Sequence, residues 1–389
     1  MSAIEKLGTG RKLLLVVALQ AAVVLVLFVG LELLARWNVA RLPPLATPSG
    51  LEHPPYYNNP GVTTTPRTFG YHVKYRINAL GLRGPETTLA KGAAKRVLLV
   101  GDSVVFGALV QDDETLSVQL EKRLNESGTG RWEALNGGVG SYEVLDYKGF
   151  LEHKGLAFKP DIVVLGLYRN DHISREQYAA FSVAAAKPNR PVLAGIRDLV
   201  FRSELVVSGM HFLQRHQRAK SPLFAVEKPL RPDDVEFIDH SFPDDRASAE
   251  AVKSFLTVYK YDPFQVRDGL PWLLDLKAWE RARAPLKDIR DLCRARGIPL
   301  AVVLFPVQFE VYPGYKHEEP GRALKALFKS LDVPVVDLQP LLAATGRGDE
   351  FFELRYDYAH PNREAYGLAA RELAALLRAR GWLGRAASP

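Results

Sequence analysis

A chain of 389 residues is too long for one small core, and its 47% hydrophobic and 24% charged residues are ordinary globular composition, so at least one large domain is expected. The net charge of +7 permits an anionic partner, but Lys and Arg are scattered among Asp and Glu rather than gathered with aromatics, so nucleic-acid binding is not expected. The one cysteine, Cys293, excludes an intramolecular disulfide framework and, in the helical-looking "DIRDLCRARG", reads as a small buried thiol.

From Leu13 to Leu31 no charge interrupts "LLLVVALQAAVVLVLFVGL", a length that matches the ~20 residues needed to cross a bilayer as a helix. The run is apolar around its whole circumference, long for a signal-peptide core, and has no A-x-A-type cleavage site close behind it. It predicts an uncleaved transmembrane anchor over residues 13–35, with Trp37 at the interface. Lys6, Arg11 and Lys12 before the span, against Arg36 and Arg41 after it, point residues 1–12 to the cytoplasm and the bulk of the chain to a periplasm or cell surface.

Residues 36–95 then read as spacer and N-terminal extension. "RLPPLATPSGLEHPPYYNNPGVTTTPRT" has no helical or strand periodicity and suggests an extended tether; "YHVKYRINALGLRGPE" alternates like a short strand before a Gly-rich turn. From residue 96 strands and helices alternate. Strands are predicted at "RVLLVG" (96–101), "RWEALNGG", "DIVVLGLY" (161–168), "IPLAVVLFP" (298–306) and "VPVVDL". Between them lie helices at "DETLSVQLEKRLN" (113–125), "EVLDYKGFLEHKG", "LKAWERARAPLKDIRDLCRARG", "RALKALFKSL" and, at the end, "REAYGLAARELAALLRAR". The fold expected over residues 96–385 is α/β: a doubly wound, mostly parallel, five-stranded sheet of flavodoxin-like type. The alternation breaks between residues 172 and 270, a long insertion that reads as a functional lid, a subdomain or a partly disordered segment.

Ligands of an open α/β sheet bind at the carboxyl ends of its strands, where the first strand delivers Gly101-Asp102-Ser103. Ser103 is either a nucleophile or the N-cap of a helix. A cap requires a helix to begin at once, whereas "VVFGALVQDD" follows and the regular helix is expected only near Asp113. A nucleophilic hydroxyl needs a base and a group that orients it. Among nine histidines, His360 in "YDYAHPN" has Asp357 three residues before it, a loop spacing that lets the carboxylate fold back to a ring nitrogen; the alternative is a surface loop whose Asn362 caps the last helix. Donors for an oxyanion are offered at the same sheet edge by the turn "NGGVGSY", through the N–H of Gly140 or Ser141, and by the Asn170 amide in "YRND".

Taken in order, "GDSVVFG", the Gly-rich turn after "LN", "RND" and "DYAHP" resemble the blocks of the SGNH/GDSL hydrolase family over about residues 96–380, and the absence of G-x-S-x-G argues against an α/β-hydrolase elbow. The resemblance implies Ser103 as nucleophile, His360 as base, Asp357 as its orienter, and an oxyanion hole from the Ser103 N–H, the second-block turn and Asn170. One position departs from the family pattern: where the turn usually ends in glycine this chain has Ser141, with glycine one place earlier at Gly140. Asp171 reads as structural. The anchor and "INALGLRGPE" resemble bacterial envelope members, some of which move acetyl groups onto or off surface polysaccharides.

The expected function is therefore a membrane-anchored serine esterase acting on an acyl, in particular acetyl, ester of a glycan or lipid, without metal or organic cofactor. Two alternatives stand beside it: an O-acetyltransferase of an envelope polysaccharide, and a catalytically silent glycan-binding or scaffold protein. His211 and His216 are badly spaced for a shared metal, and no HExxH or CxxC accompanies them. The Asp pairs at 112/113, 233/234 and 244/245 read as solvated turns, and "GTGRK" lacks the spacing of a P-loop. His153 and His172 are incidental neighbours of the site; Tyr261, Phe264 and Trp272 could line a glycan site or belong to the core.

Overall fold

The structure is a computed structural model, and it describes residues 9–65, 67–68, 71–126, 130–172, 203–206, 230–258, 270–274, 276–352 and 359–384. By contacts the chain divides into two units, Met1–Pro43 with Thr65–His72 and Pro188–Lys220, and Pro44–Thr64 with Val73–Lys187 and Ser221–Pro389.

The first unit contains α1 (Thr9–Ala40). Within it Leu13–Asn38 has a mean hydropathy of 2.9, and its apolar side chains are exposed among the described residues. The one acid in that stretch, Glu32, is not left bare: it accepts from the Ser203 hydroxyl at 2.8 Å and from the Glu204 and Leu205 N–H groups, each at 3.1 Å.

The second unit is built on five parallel strands: β1 (Lys95–Gly101), β2 (Trp132–Asn136), β3 (Ile162–Leu167), β4 (Leu300–Leu304) and β5 (Val335–Asp337). They lie in the order β2-β1-β3-β4-β5, the doubly wound arrangement whose switch point falls between β1 and β3. The register aligns Leu99 with Asn136 and Val164, and Gly101 with Gly166. Nearly every residue of β1, β3 and β4 is apolar because both faces are covered. Val97 and Leu99 enter one core with α3 (Leu116–Glu126), α9 (Leu338–Ala343) and α10 (Arg363–Ala379). Leu98 and Val100 enter the other with α4 (Val144–His153), α7 (Leu276–Arg294) and α8 (Glu319–Ser330). Each such side chain stabilises the fold by roughly 1.5–3 kcal/mol when fully buried, so the apolar alternation fixes which helix covers which face.

One sequence expectation changes. The stretch read as a tether folds from Pro44 onward: Ala46–Pro48 pairs antiparallel with Tyr56–Asn58, and Thr63–Thr64 with Tyr75–Arg76. These strands are too short to show periodicity. Of the insertion 172–270, the described part holds α5 (Pro232–Ser241) and α6 (Arg246–Val258); their Ile238, Val252 and Phe255, with Phe242 at the C-cap of α5, join the α3/α10 core.

Candidate active site

Ser103 opens a helix rather than sitting on a turn ahead of one. α2 (Ser103–Phe106) begins directly after β1, and the expected late start near Asp113 is corrected to a single 3-10 turn, Asp112–Glu114, before α3. The cap of α2 is nevertheless not Ser103. Asp102 accepts from the Val104 N–H at 2.8 Å and fills that role, which leaves the next hydroxyl available. Ser103 Oγ lies 2.9 Å from His360 Nε2 and 3.3 Å from Asp102 Oδ2. With Nε2 unprotonated, the Ser103 hydroxyl donates to it, the geometry a general base requires.

His360 is brought there by the start of α10. Asn362 caps that helix, accepting from the Glu364 N–H at 3.0 Å and the Ala365 N–H at 3.1 Å, while its own N–H donates to Phe351 O at 2.9 Å and Pro361 bridges Phe352. Asn362 thus caps the helix while His360, two residues before it, reaches Ser103, so capping and the approach to Ser103 are not alternatives. α10 is also tied to α2 by the buried Tyr366 hydroxyl, which donates to Val104 O at 2.7 Å. His360 itself is buried. Asp357 lies outside the described residues.

The turn after β2 extends its pairing with β1. Gly137 N–H donates to Leu99 O at 2.8 Å and Val139 N–H to Gly101 O at 3.1 Å, so the turn advances beside Asp102 and Ser103. A Cβ at Gly138 would collide with the backbone of Val105 and Phe106, so only glycine permits this approach to α2. Gly138 N–H goes to Asn136 Oδ1 and Tyr142 N–H to Val139 O. Across Gly137–Tyr142, the N–H groups of Gly140 and Ser141 are the two without an acceptor among the described residues. Ser141 stands at φ +62°, the left-handed conformation that glycine reaches most easily, where the family pattern has glycine.

Asn170 follows β3 on the other side of β1. Its amide oxygen is buried and unpaired among the described residues. The turn carrying it is pinned from both sides: Arg169, buried, makes bonds of 2.9 to 3.1 Å to both oxygens of the buried Glu310, and Asp171 Oδ2 accepts from Tyr168 N–H at 2.8 Å.

The electrostatics of this edge are set by buried carboxyls. Burial pushes the Asp102 carboxyl up, opposed by the Val104 N–H, the His360 charge, and the Ser103 hydroxyl and N–H. Burial raises Asp171 well above the ordinary carboxyl range, and repulsion from Asp102 adds to it. The Tyr147 hydroxyl faces Asp171 and is itself driven well up by burial and that charge, although neither its oxygen nor Asp171 Oδ1 reaches hydrogen-bond geometry.

Several supporting residues carry no signal in the sequence. Arg83, fully buried, donates to Phe106 O at 2.8 Å, to Gly107 O, to Val110 O at 2.7 Å and to Asp112 at 3.2 Å, holding the end of α2. Tyr56 donates to Gly140 O at 2.8 Å, Asn58 to Gly138 O at 3.1 Å, and Tyr142 back to Tyr56 O. A buried arginine in "INALGLRG" and polar residues in a Pro-rich stretch have no periodicity to mark them.

Other candidates resolve plainly. Burial pushes the Cys293 thiol up to about 11, in keeping with an inert buried cysteine. His153 is exposed, and the His172 ring lies against Trp279 with centroids 5.1 Å apart and planes tilted by 48°. The Asp pairs are not simply solvated: Asp112 pairs with Arg83, Asp234 with Arg231 at 2.6 Å, and Asp245 accepts from Ser248. His211, His216, Tyr261 and Phe264, and the side chain of Trp272, lie outside the described residues. Among the described residues, one group could share a cation: His53 Nδ1 sits 2.8 Å from Asp146 Oδ1 and 3.9 Å from Glu143 Oε1. Asp146 is already engaged by His53 and the Glu143 N–H at 3.1 Å, so the group serves as a link between the N-terminal hairpin and α4.

No family model and no curated protein matches the chain. Among solved structures it is similar to a lipase/acylhydrolase from Enterococcus faecalis, with 13% identity, 74% of this chain and 96% of that one covered, and a TM-score of 0.38. It is similar also to the acetyl xylan esterase AlAXEase (10% identity, 72% and 99% covered, TM-score 0.38). A third is a mutant of Axe2, an acetyl-xylooligosaccharide esterase from Geobacillus Stearmophilus (14% identity, 76% and 96% covered, TM-score 0.38). At TM-scores below 0.5 these likenesses decide nothing about the chain, whose fold rests on its own strand order.

Proposed function

We propose that this chain is an SGNH-type serine esterase, held at a membrane by α1 with its second unit on the extracytoplasmic side. The observation that carries the reading is the 2.9 Å approach of Ser103 Oγ to His360 Nε2 at the carboxyl edge of the sheet. Ser103 Oγ attacks the ester carbonyl carbon while its proton passes to His360 Nε2, and the carbonyl oxygen becomes an oxyanion stabilised by the turn N–H groups and Asn170. The C–O bond to the alcohol then breaks, the alcohol taking the proton from His360. The acyl-serine so formed is released by water, activated by the same base. Asp357 orients His360 in this scheme. An acetyl ester of a glycan is the substrate class proposed, on the motif resemblance alone.

A fluorophosphonate probe tests the nucleophile on full-length protein in detergent. Labelling of the wild type, none of Ser103→Ala, and loss of ester hydrolysis by about four orders of magnitude or more in both Ser103→Ala and His360→Ala are expected. Equal labelling of wild type and Ser103→Ala would overturn the assignment.

A further inference from the structure

We propose that Tyr56, from the hairpin ahead of the sheet, is a positioning residue for the oxyanion hole and that it selects Ser141 rather than Gly140 as the turn's donor. The inference deepens the esterase reading and rests on it.

Two turn N–H groups are without an acceptor among the described residues, those of Gly140 and Ser141. They differ in what holds their peptide planes. The Ser141 N–H belongs to the same planar peptide as the Gly140 carbonyl, and that carbonyl accepts from the Tyr56 hydroxyl at 2.8 Å. In a trans peptide the C=O and N–H point in opposite directions, so fixing the oxygen toward Tyr56 aims the Ser141 N–H to the other side. The bond also polarises the amide, strengthening its N–H as a donor. Tyr56 is in turn held: Tyr142 donates to its carbonyl, and the two rings pack with centroids 5.7 Å apart. The Gly140 N–H shares its peptide with the carbonyl of Val139, which takes the Tyr142 N–H at 3.3 Å, a longer bond closing the turn on itself.

Asn58 gives an internal contrast. It donates to Gly138 O at 3.1 Å, but the N–H of that same peptide, from Val139, is already bound to Gly101 O. Asn58 therefore fastens the hairpin to the turn without aiming a free donor. A fixed donor matters because an oxyanion site works only when its dipoles stand in place before the charge develops, and loss of one donor costs about a hundredfold or more in rate. Loosening a donor without removing it is expected to cost about tenfold.

The test compares Tyr56→Phe, which keeps the ring and removes the hydroxyl, with Asn58→Ala and Ser103→Ala, in full-length protein with an acetyl ester substrate and a boronic acid as tetrahedral mimic. Tyr56→Phe should lower kcat about tenfold, weaken boronate binding by a similar factor and leave KM within about twofold. Asn58→Ala should lower the melting temperature while holding kcat within about threefold. Wild-type kcat and boronate affinity in Tyr56→Phe, or an equal kcat loss in Asn58→Ala, would overturn the positioning role. Full turnover by Ser103→Ala would instead remove the esterase reading beneath it. Should Tyr56→Phe fail to fold, 3-fluorotyrosine placed at position 56 keeps ring and hydroxyl but ionises at lower pH. An ionised phenol cannot donate, so kcat should fall with rising pH earlier than in the wild type, and an unchanged profile would overturn the proposal.

Discussion

Asp102 caps α2 through its carboxylate and thereby frees Ser103, its neighbour in the chain, to meet His360. Replacing Asp102 separates the two effects. Asp102→Asn retains an oxygen for the Val104 N–H and is expected to melt near the wild type; Asp102→Ala should lose about 1 kcal/mol of stability, read by denaturant unfolding, and label more slowly with the fluorophosphonate as the start of α2 loosens.

Asp171 makes the fold sensitive to pH in a predictable direction. Its folded-state proton affinity is raised well above the ordinary value of 3.8 by burial and by Asp102, so the folded state holds its proton more tightly than the unfolded chain. Its contribution to stability is complete below pH 3.8 and is lost as pH climbs toward the raised folded value. Asp171→Asn, which can still accept from the Tyr168 N–H, should therefore raise the melting temperature at neutral pH and change it little in acid. A gain that was larger in acid would contradict the sign.

Ser141 carries the turn's left-handed φ of +62° with a side chain attached. Ser141→Gly relieves that strain, on the order of 1 kcal/mol, partly offset by the greater freedom of glycine in the unfolded chain. The expected result is a melting temperature at or slightly above wild type with kcat retained, because the N–H remains. A large drop in kcat would mean that the Ser141 hydroxyl itself takes part.

Arg83 ties four groups at the end of α2 from a fully buried position. Arg83→Met keeps much of the volume but takes the charged donor away from three carbonyls and a carboxylate, leaving Phe106 O to Asn136, Gly107 O to the Val110 N–H and Asp112 to Arg76; a loss of about 3 kcal/mol is expected in chemical denaturation. Arg83→Lys should recover only part, since one ammonium cannot span the same fork.

How much of this is readable in the sequence follows from what each residue depends on. The strands announce themselves because sheet residues such as Val97 to Val100 are buried on both faces, which leaves an unbroken apolar run. Ser103 and His360 are readable because their chemistry restricts the residue type and their strand and helix ends fix the place. The start of α2 is misread because Ser103–Phe106, with its two valines and Gly107 at the end, is too short a helix to show a 3.6-residue period. Tyr56 and Asn58 act through single side-chain bonds to carbonyls, and such bonds leave no pattern in a chain read linearly.

The hairpin that touches Gly138 and Gly140 also bears on how the chain could be separated from α1, its proposed membrane anchor. A cut ahead of Pro44 would leave Tyr56, Asn58 and Arg83 in the same chain as the sheet; a cut just before strand β1 would leave Ser103 and His360 there but not the braces of the turn and of α2. Loss of α1 and loss of the braces would then differ only in where the chain is nicked, about fifty residues apart. For anyone preparing a soluble form, the start site belongs upstream of the hairpin, not at the first strand of the sheet.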